Sequence, residues 1–278
     1  MSPSALSLRE TNSSAVAQRL AFALEIAQQA GALTLRYFQT DQLSVERKSD
    51  NSPVTLADRA AEQLLRGRIQ QQFPHDGIVG EEFGTHAGSS PFTWILDPID
   101  GTKSFIAGVP LYSQLIGIVT GEESLAGVIS IPALDECVFA ARGAGTWWRT
   151  RSGAPRRARV SQRRQLSDGI FVTSQVDTFA ARGALEAYTR LEQSAYVTRS
   201  WGDGYGYLLV ATGRAEVMVD PIMNIWDAAA ILPVIEEAGG SFTDWNGAAT
   251  IAHGEGIATN GLVREEVLAI TRQFPKPA

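Results

Sequence analysis

Two acids stand three residues apart in Trp94-Ile95-Leu96-Asp97-Pro98-Ile99-Asp100-Gly101-Thr102-Lys103. An apolar run ends in Asp97, and Gly-Thr then opens what reads as a helix. Pro98 interrupts the strand, so a turn is expected there and the two carboxylates can converge. Unpaired acids this close repel, and one would be driven toward protonation. A divalent cation removes the conflict, and hard cations such as Mg²⁺ take carboxylate and carbonyl oxygens. Backbone N–H groups at a helix start favour an anion. The chemistry suggested is metal-assisted attack on a phosphate ester. A pair of helix-capping acids is the plainer alternative, since Asp is a common N-cap.

Further acids bear on that choice. Glu81 follows the apolar Gly77-Ile78-Val79-Gly80, and Asp227 lies at a helix start in Trp226-Asp227-Ala228-Ala229. Four acids at element ends beside apolar sequence are hard to explain as solvated surface. Lys48, Asp50, Thr55 and Asp58 form another set at the start of a helix. They read either as a capping region with a surface lysine, or as a place where Asp58 bonds a hydroxyl such as that of Thr102 and orients a water. A metal lowers the pKa of bound water and so creates the nucleophile, and no covalent enzyme intermediate is then needed.

The elements that must position these groups follow from periodicity. Apolar residues from Val16 to Leu35 recur at helical spacing, with Ser14 as N-cap and 1–14 as a frayed lead-in. A second helix is expected from Leu56 to Phe73, with Leu56, Ala60, Leu64, Ile69 and Phe73 inward and Arg59, Glu62, Arg66 and Gln70 outward. Short apolar runs at 77–80, 93–96, 112–119, 124–131 and 137–141 suggest an antiparallel meander. Seven arginines between Arg149 and Arg164 read as an exposed connector, which divides the chain into a metal-site α+β half, 15–164, and an α/β half, 165–278, within one compact unit. The second half alternates strands at 170–174, 196–199, 215–219 and 241–243 with helices at 179–194, 205–212, 225–238 and 262–273, an α/β layer. Pro233 implies a kink near 227–233.

Composition narrows the function. The 278 residues carry a net charge of −6, with 44% hydrophobic and 19% charged residues. That gives no general drive toward nucleic acid or anionic membrane. No apolar run is long enough to span a bilayer, and the polar N-terminus lacks a secretory pattern, so the cytoplasm is the expected location. The single cysteine, Cys137, excludes an intrachain disulfide and is expected to be buried in a strand. His75, His86 and His253 match no triad or zinc pattern; His86 is expected on an exposed loop near Glu81.

The runs Gly80-Glu81-Glu82, Asp97-Pro98-Ile99-Asp100-Gly101-Thr102 and Trp226-Asp227-Ala228-Ala229, in that order and over most of the chain, resemble the signatures of the inositol monophosphatase-like family of metal-dependent phosphatases. The resemblance implies a layered αβαβα fold, two or three Mg²⁺ ions and a homodimer, often lithium-sensitive. It implies that Glu81, Asp97 and the carbonyl of Ile99 hold one ion, that Asp97, Asp100 and Asp227 hold a second, and that a weaker third sits near Glu81. Gly101 and Thr102 would present N–H groups to the phosphate, and Thr102 with Asp58 would position the attacking water. Lys103-Ser104-Phe105 and Ser200-Trp201-Gly202-Asp203-Gly204-Tyr205-Gly206-Tyr207 look like the histidinol-phosphate phosphatase branch. Lys103, Asp203 and Asp220 are then the expected substrate contacts, because the ammonium and imidazole of that substrate suit extra carboxylates. For both acids a turn or capping role is the plainer reading. Inositol 1-phosphate and 3′-phosphoadenosine 5′-phosphate are alternative substrates, and a silent metal-binding protein is the alternative from a different class.

Overall fold

The computed structural model describes residues 3–40, 45–47, 53–151 and 153–276. Helices Pro3–Thr34 and Leu56–Gln72 cover one face of an eight-stranded sheet. Its strands run, from one edge to the other, Arg156–Arg157, Gly145–Thr150, Glu136–Ala141, Glu123–Ile131, Ser113–Thr120, Thr93–Asp100, Gly77–Gly80 and Gly84–His86. All neighbours are antiparallel except Gly77–Gly80 with Thr93–Asp100, which are parallel. Alternation sorts the side chains, as a pleat requires. Leu96, Ile116 and Val128 pack under the first two helices. Ile95, Leu115 and Ile129 face the other way, toward helices Asp203–Ala211 and Ile231–Glu237.

A five-stranded sheet lies beyond those helices, in the order Val197–Arg199, Ile170–Val172, Val217–Asp220, Gly256–Thr259, Ser241–Thr243. Val172, Met218 and Ala258 point inward, while Phe171, Val217 and Ile257 pack under helices Leu185–Ser194 and Arg264–Thr271. The expected αβαβα layering is therefore present. Between the layers the backbones come close. A Cβ on Gly127 would lie 2.0 Å from the Ala230 carbonyl oxygen, and one on Gly117 would lie 2.7 Å from the Ala229 Cβ.

Several expectations need correction. The first helix starts at Pro3, so Ser14 is interior and the lead-in is helical from residue 3. Pro is pre-organised for a first helical turn, and Ala5, Leu6, Leu8, Arg9 and Glu10 favour continuation. In the second helix Ile69 is buried as expected, but the rest of the buried stripe, Ala57, Asp58, Ala61, Glu62 and Leu65, lies beside the expected positions, and Leu56 is exposed. Glu62 is buried because backbone N–H donors meet it there. Pro98 does not end its strand; the register slips between Asp97 and Asp100 instead.

Residues 84–86 form an edge strand, with His86 exposed on it, rather than a loop. The helix expected over 179–194 is two, Asp177–Ala181 and Leu185–Ser194, parted at Gly183 with φ +76°. That over 225–238 divides into Ile225–Ala228 and Ile231–Glu237. The break puts Pro233 in a first turn, where its missing N–H loses no helical bond. The arginine-rich connector is exposed, as expected, at Arg156, Arg157, Arg159, Arg163 and Arg164, and it still touches the protein: Arg156 and Arg157 lie over Trp148 and Trp147, and Arg163 pairs with Glu216. Cys137 is buried in its strand, and burial pushes its thiol up to about 12.

Candidate active site

In a regular strand, residues three apart face opposite sides. The slip between Asp97 and Asp100 adds the offset that brings both acids to one side. Oxygens of Asp97, Asp100 and Asp227 then lie within 4.8 Å of one another. Each carboxylate is held. Asp97 Oδ1 accepts the Ile99 N–H at 3.1 Å, and Asp227 Oδ2 accepts the Asn224 N–H at 2.7 Å. Asp100 Oδ2 accepts the Ser113 hydroxyl at 2.6 Å and the Gly204 N–H at 2.5 Å.

These donors do not offset the charge. Burial, then Glu81, Asp100, Asp227 and Asp58, push the Asp97 carboxyl well above its ordinary range. Burial, Asp203 and Asp227 do the same to Asp100, and burial is the main cause that takes Asp227 up to about 7. The charges that act most on Asp97 are all acids. An all-oxygen set of converging carboxylates suits a hard divalent cation, and such an ion would supply the missing positive charge.

Asp58 approaches from the second helix. Thr55 is the N-cap, and a capping box joins it to Asp58. Asp58 Oδ2 accepts both the Thr55 N–H, at 2.8 Å, and its hydroxyl, at 2.5 Å. Oδ1 is left to the Thr102 hydroxyl at 3.4 Å, which also reaches the Ile99 carbonyl at 3.2 Å. Gly101 precedes the short helix Thr102–Ile106 with φ +85°, and a Cβ there would meet Asp203 Oδ2 at 2.6 Å, so only glycine fits.

A cavity of about 140 Å³ opens beside the acids. Asp100, Asp203, Asp220 and Asp227 share its wall with Ser174 and Tyr207. The Tyr207 hydroxyl donates to Asp220 Oδ2 at 2.9 Å, and the Ser174 N–H reaches Oδ1 at 3.4 Å. Burial raises Asp220 to about 6. Asp203 sits at φ +52° and donates its N–H to the Ser174 hydroxyl at 2.9 Å.

The sequence pattern of the inositol monophosphatase family matches residues 15–275. The chain belongs to that family. It is 44% identical over 253 residues to a histidinol-phosphatase of Chlorobaculum parvum, covering 90% of this chain and 96% of that one. A histidinol-phosphatase of Mycobacterium tuberculosis is 39% identical with the same coverage. The solved structure of an IMPase from Thermotoga maritima superposes with a TM-score of 0.82 at 31% identity, covering 92% of this chain and 98% of that one.

In this phosphatase the fold brings Asp97, Asp100, Asp227, Asp58 and Thr102 together, and Glu81 acts on Asp97, Asp58 and Asp227 as a neighbouring charge. Lys103 lies on the rim, its ammonium bonded to the Gln175 side chain. Lys48 and Asp50 fall outside the described residues. Sequence reasoning missed Ser113, Ser174 and Glu62. Ser113 and Ser174 carry no local signal, because each meets its acid only across strands or layers. Glu62 shares a helix face with Asp58, one turn on, and that spacing could have revealed it. Among the described residues no helix is long and apolar enough to cross a membrane.

Proposed function

We propose that this phosphatase hydrolyses L-histidinol phosphate to L-histidinol and phosphate, in histidine biosynthesis in the cytoplasm, with Mg²⁺ and no covalent enzyme intermediate. One observation carries the reading: a pocket wall with Asp203 and Asp220 beside the acidic cluster. The names of the relatives at 44% and 39% identity support it. A substrate with an ammonium and an imidazole suits carboxylates, whereas an inositol ring would call for hydroxyl recognition. The inositol-phosphate reading is kept because of the likeness to the Thermotoga maritima IMPase.

Asp97, Asp100, Asp227, Glu81 and the Ile99 carbonyl would hold two or three Mg²⁺ ions. Bound there, the ions would neutralise the phosphate and departing alkoxide and make a water more acidic. The chain's own groups do the rest. Thr102 and Asp58 orient the attacking water: Asp58 Oδ2 is tied to Thr55, so Oδ1 stays aimed at the Thr102 hydroxyl. Gly101 and Thr102 offer N–H groups to the phosphate at a helix start, where such groups lack helical partners. The water oxygen bonds phosphorus as the ester P–O bond breaks; one of the water's protons ends on the departing alkoxide, giving L-histidinol, and the other stays on the hydrogen phosphate. Asp203 and Asp220 bind the cationic part of the leaving group, with Lys103 at the rim. A homodimer belongs to the same proposal and rests on family resemblance; light scattering checks it.

Phosphate release with Mg²⁺ from L-histidinol phosphate, inositol 1-phosphate, 3′-phosphoadenosine 5′-phosphate and fructose 1,6-bisphosphate tests the substrate. The expected result is a kcat/KM for histidinol phosphate about tenfold above the others, ~1.4 kcal/mol of transition-state binding. A flat profile would remove the substrate assignment, and no release from any ester would favour a silent metal-binding protein.

A further inference from the structure

Glu81 has its backbone fixed on both sides. Its own N–H donates to the Leu96 carbonyl at 3.3 Å, next to Asp97. The following N–H, of Glu82, donates to Glu62 Oε2 at 2.7 Å, and that of Phe83 to Glu62 Oε1 at 3.1 Å. Glu62 is fully buried and lies one helical turn after Asp58, on the same face. Arg66, one turn further on, donates its Nε to Glu62 Oε1 at 2.7 Å and also bonds the Gly84 carbonyl. The helix thus grips the 81–84 turn through a carboxylate and a guanidinium. Charged hydrogen bonds of this kind are the strong ones.

The glycine before Glu81 belongs to the same device. Gly80 has no positive φ that would require it, yet a Cβ there would lie 2.2 Å from Glu62 Oε1 and 2.9 Å from Arg66 Nη2. Gly80 is the space into which the Glu62 carboxylate fits.

We propose that Glu62, braced by Arg66 and admitted by Gly80, is a positioning residue that aims Glu81 at the Asp97–Asp227 cluster and so sets the affinity of the metal centre. The inference rests on the reading that Glu81 takes part in that centre. Glu62 touches neither substrate nor ion; it acts through the peptide between Glu81 and Glu82. Residues that orient a metal ligand commonly matter nearly as much as the ligand.

The test uses full-length protein stripped of metal, titrated calorimetrically with Mn²⁺ alone, with circular dichroism to confirm folding. Glu62→Gln keeps the shape but turns an amide NH₂ toward backbone donors, and it is expected to weaken Mn²⁺ binding about tenfold or more. The Mg²⁺ concentration for half-maximal hydrolysis of p-nitrophenyl phosphate should rise by the same factor. KM for the ester at saturating Mg²⁺ should stay within about twofold of the parent, a split that general destabilisation would not produce. Gly80→Ala displaces the same carboxylate without changing a charge, and should reproduce the effect even if Glu62→Gln fails to fold. Parent-like Mn²⁺ binding in either folded variant overturns the proposal. Glu81→Gln separates the two levels. If it weakens Mn²⁺ binding while Glu62→Gln does not, only the positioning role falls; if it leaves binding unchanged, the metal role of Glu81 falls with it.

Discussion

Asp58 and Asp227 occupy the same place in two capping boxes, one in each half of the chain, and their carboxylates fare differently. Asp58 accepts the Thr55 N–H and hydroxyl and faces the Thr102 hydroxyl; burial raises its pKa against those bonds. Asp227 has the Asn224 N–H, and burial, with Glu81 and Asp220 adding to it, raises it to about 7. A cap and a place in the acidic site are thus not alternatives, because the third helical residue of a capping box can take both. What separates the two acids is the supply of donors. Asp58 is held by the protein itself, whereas Asp227 shares a crowded cluster that calls for a cation.

The largest expected effect breaks the comparison if it fails. Asp97→Asn and Asp227→Asn should each lower kcat/KM with Mg²⁺ by about three orders of magnitude, ~4 kcal/mol, with an unchanged circular dichroism spectrum. Asp58→Asn should lower kcat while the Mg²⁺ requirement stays put. Chelation should stop turnover in the parent and added Mg²⁺ restore it. Near-normal rates for Asp97→Asn, or activity after exhaustive chelation, would exclude the metal assignment. Next comes the pocket wall. Asp203→Asn and Asp220→Asn should raise KM for histidinol phosphate about tenfold, ~1.4 kcal/mol, and leave KM for an aryl phosphate alone. Equal rises would give these acids to structure or metal instead.

A smaller effect sharpens the contrast through pH. For Asp227 the folded pKa, about 7, exceeds the ordinary 3.8. The folded state therefore binds more protons than the unfolded one, and stability falls as pH rises from 3.8 toward 7. Metal-free parent should lose about 5 °C in Tm relative to Asp227→Asn between pH 5 and 7.5, and Mg²⁺ should abolish the loss. A constant difference across that range would refute the rise of Asp227 that burial and its neighbouring acids produce. The smallest effects lie in the caps. Thr55→Val should cost ~1 kcal/mol in denaturant unfolding and also lower kcat, since Asp58 loses one of its two Thr55 bonds; Asn224→Ala, which keeps the N–H that Asp227 accepts, should cost less and leave kcat alone.

Much of this was legible beforehand. Apolar periodicity marked an antiparallel meander and an α/β layer, the family resemblance implied the αβαβα order, and Glu81, Asp97, Asp100 and Asp227 stood out as acids at element ends. What the chain could not disclose locally was register. Asp97 and Asp100 share a side only because their strand slips against Ser113–Thr120. Glu62 looked like surface because its partners, the N–H groups of Glu82 and Phe83, arrive from another strand end. The strand Gly256–Thr259 went unseen because a short Gly-Ile-Ala-Thr run has little intrinsic preference; pairing with Val217–Asp220 and Ser241–Thr243 supplies the rest.

The glycines of the first sheet lead further. Gly117 and Gly127 let Ala229 and Ala230 rest on bare backbone, and the Ser124 hydroxyl holds the Ala229 carbonyl at 2.5 Å. Asp227 is two residues away. The gap across which its carboxylate meets Asp97 therefore starts from a close main-chain contact at Gly117 and Gly127, where no side chain of the sheet glycines can take up slack. Such a joint behaves as a fixed spacer rather than a hinge. A screen for lost turnover should accordingly recover Gly127→Ala, a single methyl added to a buried sheet, among substitutions of the acids themselves.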